Sequence, residues 1–307
     1  MDRIDRRGFL ECMAWVGTGL VWTATGGVLS SRLITEASAS AAAAGSFNFV
    51  QISDTHIGFK GEANKDAAAT LQQVVDRVNA LRPAPAFVLH TGDQTHGQKA
   101  GAFDTVAEIL KGVKTERIFY VPGEHDVFLD GGKEYLARYG KGTVEGRGWQ
   151  SFDYKGTHFL GLVNVLKYKG EGMGSLGDEQ IGWLEQNVAP LSSSTPVVVF
   201  AHVPLWAVYP QWGWTTEDAE HALASLRRFG SVTVLNGHIH QVLRKVEGNV
   251  SFHTAMSTAF PQPAPGSAPA PGPMKIPEAE ARRLLGVTEV AYMPSTQPLT
   301  VVDSTLG

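Results

Sequence analysis

The stretch RIFYVPGEHD, residues 117–126, joins a strand-like run to two carboxylates and a histidine. Its first five residues are mostly apolar and aromatic, which is typical of a strand, and the Pro-Gly pair that follows marks a turn. Glu124, His125 and Asp126 then stand together just past the strand. Because similar groups of polar residues follow other strand-like runs of this chain, the stretch indicates one part of a larger chemical site.

Four further apolar runs end in metal-ligating residues. Asp54 and His56 follow FNFVQI, Asp93 and His96 follow AFVLHT, His202 follows PVVVFA, and His238 and His240 follow VTVLN. Helical periodicity between the runs predicts helices over residues 62–81, 103–113 and 217–229, the last with Thr216 as its N-cap. Buried strands that alternate with helices indicate an α/β fold, and such sheets place their ligands at the carboxyl ends of the strands.

Composition narrows the class of protein. The chain has 307 residues and a net charge of −4, with 18% charged residues, which is ordinary for a soluble globular domain. No basic patch stands out, so nucleic acid is not an expected partner. The only cysteine, Cys12, lies near the amino terminus. We therefore expect any metal site to consist of His, Asp, Glu or Asn side chains.

Residues 1–43 resemble a bacterial twin-arginine signal peptide. Arg6 and Arg7 precede a mildly apolar stretch, residues 12–29, and residues 39–43 offer Ala-x-Ala cleavage sites. An uncleaved membrane anchor is the alternative, but glycines and threonines dilute the stretch and make it a weak span. We expect the twin-arginine export machinery to recognise the segment, leaving no stable anchor. The mature domain, residues 44–307, would then be periplasmic or secreted.

The ordered motifs of the mature chain resemble the calcineurin-like metallophosphoesterase superfamily. The pattern appears as DTH, GDQTH, GEHD, AHVP and GHIH, and it spans residues 54–240. The resemblance implies a four-layer fold in which two mixed β-sheets pack as a sandwich flanked by α-helices. It also implies that two metal ions, such as Mn, Fe or Zn, assist hydrolysis of a small phosphate ester.

The resemblance assigns roles residue by residue. One metal ion would be held by Asp54, His56, Asp93 and His240. The other would be held by Asp93, Glu124, His202 and His238, so that Asp93 bridges the pair. A metal-bridging hydroxide would attack a phosphomonoester or phosphodiester, and His125 would protonate the leaving oxygen as general acid. Asp126 would orient His125 and stabilise its charged form.

Glu124 departs from the family pattern, which usually has asparagine at this position. With Asp54, Asp93 and a hydroxide, Glu124 would bring the formal charge of the ligands to four negative units and cancel two divalent ions. The site would then attract phosphate less strongly, or favour a trivalent–divalent pair, or Glu124 would rotate away and hold the second metal loosely. The alternative function is a metal-binding or regulatory protein of the same fold with weak hydrolysis.

Three further features leave alternatives open. His96 would either bind metal or support a ligand and line the pocket. The aromatic stretch PLWAVYPQWGW, which begins just before Trp206, would either form a wall of the pocket or pack its own loop onto the domain. The proline-rich segment of residues 261–277 predicts an extended surface loop, followed by a short helix near residues 278–285 and a late strand, LTVVD.

Overall fold

The computed structural model describes residues 20–25, 28–33, 45–167, 173–294 and 296–307. Before residue 45 it describes one antiparallel pair of strands, β1 (Leu20–Thr25) and β2 (Val28–Leu33). The paired arginines and the alanine-rich end of the predicted signal lie outside the described residues. The hairpin belongs to one unit of the chain, and residues 47–292 and 298–307 form the other. Within the described ranges, no helix has both the length and the apolar character that crossing a membrane requires.

The first sheet of the larger unit carries three parallel strands beside two late ones. Its strands are β3 (Phe47–Ile52), β4 (Val88–Thr91), β5 (Ile118–Val121), β12 (Gly286–Met293) and β13 (Thr296–Thr305). They lie in the order β13-β12-β3-β4-β5. Strand β3 pairs in parallel with β4, which pairs in parallel with β5, and β12 is antiparallel to β3. All three parallel strands therefore end at one edge.

The second sheet has six strands and is also mixed. Its strands are β6 (Gln150–Tyr154), β7 (Thr157–Gly161), β8 (Val197–Ala201), β9 (Val232–Asn236), β10 (Arg244–Glu247) and β11 (Val250–Thr254). They lie in the order β10-β11-β9-β8-β7-β6, with antiparallel pairs only at the two ends. The central strand VVVFA is fully buried, as its β-branched residues predict.

The two sheets face each other across an aromatic core. Phe49 and Phe87 of the first sheet's side pack against Phe159 of the second at ring distances of 5.5 and 5.3 Å. Helices cover the outer faces. They are α1 (Ala67–Ala80), α2 (Ala102–Leu110), α3 (Lys133–Tyr139), α4 (Asp178–Val188), α5 (Ala219–Ala224) and α6 (Glu278–Ala281). The predicted sandwich of two mixed sheets with flanking helices is confirmed.

Helix boundaries differ from the predicted ones for local reasons. Helix α1 begins at Ala67 and not at Glu62, because the Asp66 side chain caps it by accepting from the backbone N–H of Ala69 at 3.0 Å. Helix α5 is shorter than predicted and begins after Asp218. Thr216 is not its N-cap, since its hydroxyl accepts from the Asn164 side chain at 2.9 Å. Strands β6 and β12 and helix α3 were not predicted.

Candidate metal centre

The predicted ligands lie in loops that leave the carboxyl ends of five strands. Asp54 and His56 follow β3, Asp93 and His96 follow β4, residues 124–126 follow β5, His202 follows β8, and His238 and His240 follow β9. The first sheet and the second sheet therefore both supply side chains to one place. A hydrogen bond from His202 Nδ1 to the carbonyl of Thr91, 2.7 Å long, joins the two sheets there.

The backbone of these loops is bent into a conformation that residues other than glycine rarely adopt. Five predicted ligands have positive φ, namely Asp54 (55°), His56 (39°), Asp93 (52°), His238 (71°) and His240 (56°). Such residues cost free energy and tend to collect at functional sites, where the surrounding structure holds them. The bends turn the ligand side chains toward one another.

Gly92 shows how closely the loops approach. Its φ is +96°, and a Cβ there would lie 2.5 Å from His202 Nδ1 and 2.7 Å from the backbone nitrogen of Gly123. No side chain fits in that space, so position 92 of the GDQTH motif requires glycine for steric reasons as well as for its positive φ.

Asp54, His56 and His240 form the first cluster of ligand atoms. His56 Nε2 lies 3.2 Å from His240 Nε2, which in turn lies 3.2 Å from Asp54 Oδ1. All three residues are buried. Three donor atoms that converge at such distances can surround a metal ion.

Glu124, His202 and His238 form the second cluster. Glu124 Oε2 lies 2.8 Å from His202 Nε2, and Glu124 Oε1 lies 3.1 Å from His238 Nδ1. Asp93 lies between the two clusters, because its Oδ2 is 3.4 Å from His56 Nε2 and 3.5 Å from His202 Nε2. Its position suits a carboxylate shared by two ions.

The hydrogen bonds around the histidines leave the right nitrogens for a metal. His240 Nδ1 donates to the carbonyl of Phe260 at 2.6 Å, and His202 Nδ1 donates to that of Thr91, so each Nε2 carries its lone pair toward the cluster. His202 Nε2, Glu124 Oε2 and both ring nitrogens of His238 are buried without a hydrogen-bond partner among the described residues. Because buried polar atoms are normally satisfied, this set fits metal coordination.

The pKa values of groups in the two clusters are strongly shifted. Burial alone would raise the pKa of Glu124, but the imidazoles of His238 and His202 hold it well below its usual range. Burial would lower the pKa of His202, but Asp93 and Glu124 raise it well above the ordinary value. A divalent ion would take the place of the proton that these carboxylates attract to His202.

His125 lies beside both clusters and reaches the cleft. Its backbone N–H donates to Asp93 Oδ1 at 2.9 Å, and its ring stacks on that of His96 at 5.0 Å. Burial lowers the pKa of His125, yet the carboxylates of Asp93, Glu124 and Asp126 outweigh it and raise the pKa above its ordinary value. The imidazole is therefore held in its protonated form to a higher pH.

Asp126 does not orient the His125 ring by direct contact, contrary to prediction. Its carboxylate accepts from the backbone N–H groups of Gly123, Gln94 and Thr95 at 2.9–3.1 Å, and in the described part of the chain His125 Nδ1 has no hydrogen-bond partner. Asp126 thus ties the loop after β5 to the loop after β4. Burial and the charge of Asp93 raise the pKa of Asp126 to about 7 despite these bonds.

His96 and Trp206, two further candidates for the pocket, lie in different places relative to the cleft. His96 Nδ1 lies 3.2 Å from His56 Nδ1, so His96 can hold the ring of a predicted ligand by a hydrogen bond, and it also lines the cleft. Its donor atoms lie close enough to those of His56 and His125 to form a third potential ligand group. Trp206 is not in the cleft lining. It packs against Phe252 at 5.2 Å in the core of the second sheet.

A cleft of about 610 Å³ opens over the clusters. We define the floor as His125 and the seven candidate ligands beneath the cleft, namely Asp54, His56, Asp93, Glu124, His202, His238 and His240. We call the opposite side of the cleft the outer wall. It consists of Gln211, Trp212, Trp214, Gln262 and residues 269–273. Trp212 and Trp214, for which the sequence left wall and packing open, line the cleft. The contribution of the proline-rich segment to the cleft was not predicted. The signal available was its position between the last ligand motif and β12.

Comparisons with known proteins agree with this geometry. The model of the family described as calcineurin-like phosphoesterase matches residues 47–242. The "Probable cyclic nucleotide phosphodiesterase" of Rhodopseudomonas palustris is 27% identical over 72% of this chain and 83% of its own length. The "Probable glycerophosphodiester phosphodiesterase GpdQ" of Arcobacter nitrofigilis is 28% identical over 68% of this chain and 77% of its own. The "Serine/threonine-protein phosphatase CPPED1" of Danio rerio is 24% identical over 64% and 71%.

Solved structures share the fold. A dimetal phosphatase from Danio rerio superposes with a TM-score of 0.63 at 16% identity, covering 85% of this chain and 99% of that one. A purple acid phosphatase from yellow lupin gives a TM-score of 0.58 at 15% identity, covering 85% and 51%. With the family model covering more than half of the residues, and with the ordered motifs gathered at one site, the chain belongs to the calcineurin-like phosphoesterase family.

Proposed function

We propose that the protein is an exported phosphoesterase that uses two metal ions to hydrolyse phosphomonoesters or phosphodiesters. The observation that carries the proposal is the pair of ligand clusters on either side of Asp93. A single carboxylate oxygen at nearly equal distances from His56 and His202 is expected where one group serves two ions. The family supports phosphate-ester hydrolysis, while the number of ions rests on this geometry.

Four of the predicted ligands would hold each ion. Asp54, His56, Asp93 and His240 would hold one, and Asp93, Glu124, His202 and His238 would hold the other. Imidazole and carboxylate donors in this mixture suit Mn, Fe or Zn. When bound, a pair of such ions supplies Lewis acidity for the phosphoryl oxygens and a nucleophilic water at neutral pH.

The chain itself supplies orientation and a proton. His125 stands next to Asp93 and Glu124 with its pKa raised, and from there it protonates the oxygen of the departing group. His96 stacks on His125 and thereby limits the rotation of its ring. Asp126 acts through the backbone, since it binds the two loops that carry Asp93 and His125.

The relatives support both ester types. Two of those named above are phosphodiesterases and one is a protein phosphatase. A cleft of about 610 Å³ admits a small phosphate ester. We therefore take a small phosphate ester as the substrate.

Metal analysis and turnover test the proposal together. Purified protein should carry close to two metal ions. It should hydrolyse generic monoesters or diesters after loading with Mn, Fe or Zn, and chelation should abolish the activity. Two tightly bound ions without turnover on either ester type would contradict the enzyme and favour a metal-binding or regulatory protein, with Glu124 as the cause.

Export by the twin-arginine route is the second part of the proposal. Arg6 and Arg7 precede a weakly apolar stretch in the sequence, and residues 44–307 would form the mature periplasmic or secreted domain. Changing both arginines to lysine should leave unprocessed precursor in the cytoplasm. If a shortened protein still appears outside the cytoplasm in the same amount, another export route serves this chain.

A further inference from the structure

Two segments that carry no family motif come together as the outer wall. The loop that holds Tyr209, Trp212 and Trp214 follows His202, and the proline-rich segment follows the last ligand motif. Trp212 and Trp214 meet edge to face at 4.9 Å, Tyr209 meets Trp212 in the same way at 5.2 Å, and Ala268 packs on this cluster. The wall is therefore a packed unit in which both segments take part.

The wall is tied to the floor at two points. Ile239, which stands between His238 and His240, is fully buried in the same cluster as Trp212 and Trp214. The side-chain amide of Gln262 donates to the carbonyl of His238 at 2.8 Å, and its Oε1 accepts from the backbone N–H of Gly272 at 2.8 Å. The wall thus stands at a set distance from the ligands.

The wall offers an apolar surface without positive charge. Within the part of the chain that the structure describes, the cleft lining includes no lysine or arginine. Lys60 and Lys99 line a separate groove of about 440 Å³, which shares His96 with the cleft but includes no wall residue. The wall faces the cleft with indole, proline and alanine side chains, and its polar side chains are the neutral amides of Gln211 and Gln262.

We propose that the wall binds an uncharged apolar or planar ester group of a phosphodiester, and so selects diesters that carry such a group. The inference rests on the proposed function, because the metal ions would hold the phosphate on the floor. A diester carries one negative charge and not two, so it needs less positive charge from a centre that Glu124 would make nearly neutral, and its second ester group would then lie against the wall. Rigid aromatic and proline surfaces bind such a group with little loss of conformational entropy.

The test compares two diesters that share the leaving group 4-nitrophenolate, namely phenyl 4-nitrophenyl phosphate and methyl 4-nitrophenyl phosphate. In both, the oxygen of water bonds to phosphorus as the bond to 4-nitrophenolate breaks, and the water proton passes to the solution. The metal-loaded protein should prefer the phenyl ester about 10-fold in kcat/KM, mostly through KM, as expected for burial of one ring. Equal kcat/KM values for the two esters would overturn the proposal.

Two variants place the preference on the wall. Trp212→Ala removes an indole and should lower the phenyl-to-methyl ratio about 10-fold. Ala270→Asp puts a charge at an exposed wall position without disturbing packing, and should also lower the ratio. Ala264→Asp adds the same charge to an exposed position of the same segment outside the cleft lining, and should leave it unchanged. If Trp212→Ala does not fold, Ala270→Asp still decides, and an unchanged ratio in that variant would overturn the proposal.

A binding measurement separates this inference from the proposed function. Methyl phenylphosphonate and methyl methylphosphonate are monoanions that can be titrated into the metal-loaded protein by calorimetry. The phenyl compound should bind about 10-fold more tightly, and Ala270→Asp should remove the difference. If neither nitrophenyl diester nor 4-nitrophenyl phosphate, a monoester, is hydrolysed while this preference persists, the phosphoesterase proposal fails and the proposal for the wall is supported. If hydrolysis occurs and both phosphonates bind equally, the wall proposal fails alone.

Discussion

The floor and the outer wall of the cleft are built by opposite means. Floor residues sit one to four positions past the ends of regular strands, in bends such as those at Asp54 and His240, where φ is 55° and 56°. The wall comes from loops without extended regular structure, and side-chain packing around Trp212 and Trp214 holds it together. One region is positioned by the sheets and the other by contacts between loops.

This difference predicts how the two regions respond to change. The floor concentrates charge and strained backbone, so loss of one metal ligand should remove metal and activity. The wall spreads its contact over several neutral side chains, so single changes should alter affinity for one kind of substrate. Mutations in the two regions should therefore separate metal content from substrate preference.

Asp93→Ala should have the largest effect. Because Asp93 lies between both clusters, its removal should cost most of the bound metal at both positions and lower kcat by about 10³-fold or more. Elemental analysis and turnover of the purified variant check this. Asp76→Ala, an exposed change on helix α1, is the matched control. A full complement of two ions in Asp93→Ala would show that Asp93 does not bridge.

His125→Ala should retain the metal ions and lower kcat by about 10²–10⁴-fold for esters with poor leaving groups. The loss should shrink for 4-nitrophenolate, which leaves without a proton. Since the pKa of His125 is raised, wild-type kcat should fall as pH rises through that pKa, and kcat of the variant should not show this decrease. His221→Ala, an exposed change, serves as control. Equal losses for good and poor leaving groups would mean that His125 only positions substrate.

Glu124 tests whether floor charge controls anion affinity. Glu124→Gln keeps the side-chain length and removes the charge, whereas Glu124→Asn restores the family's usual residue with a shorter side chain. Either should leave the centre one unit more positive, bind phosphate or vanadate about 10-fold more tightly, and favour two divalent ions. Inhibition constants and metal analysis measure both effects. If neither variant changes anion affinity or metal preference, Glu124 lies outside the coordination sphere, although its Oε2 is 2.8 Å from His202 Nε2.

The floor could be anticipated from sequence far better than the wall. Five apolar runs located the strand ends, and the ligand residue types that follow them predicted one shared site. The predicted contact of Asp126 with the His125 ring was wrong because Asp126 binds backbone N–H groups of another loop, which no side-chain pattern reveals. For Trp206 the sequence left pocket wall and packing open, because a cluster of aromatic residues does not show which rings face inward. The contact of residues 269–273 with the cleft depends on long-range packing alone.

Gln262→Ala should have the smallest effect and tests whether wall and floor are separable. The change removes the hydrogen bonds to the His238 carbonyl and the Gly272 N–H, which should cost about 1–2 kcal/mol of stability in thermal or denaturant unfolding. Metal content should stay near that of the wild type, and KM for a bulky diester should rise a few-fold as the wall loosens. Ser267→Ala, which removes a hydroxyl bond to Ala264 within the same segment, should leave KM unchanged. A loss of metal from Gln262→Ala as large as that from Asp93→Ala would contradict the division, because the His238 loop would then depend on the wall to bind its ion.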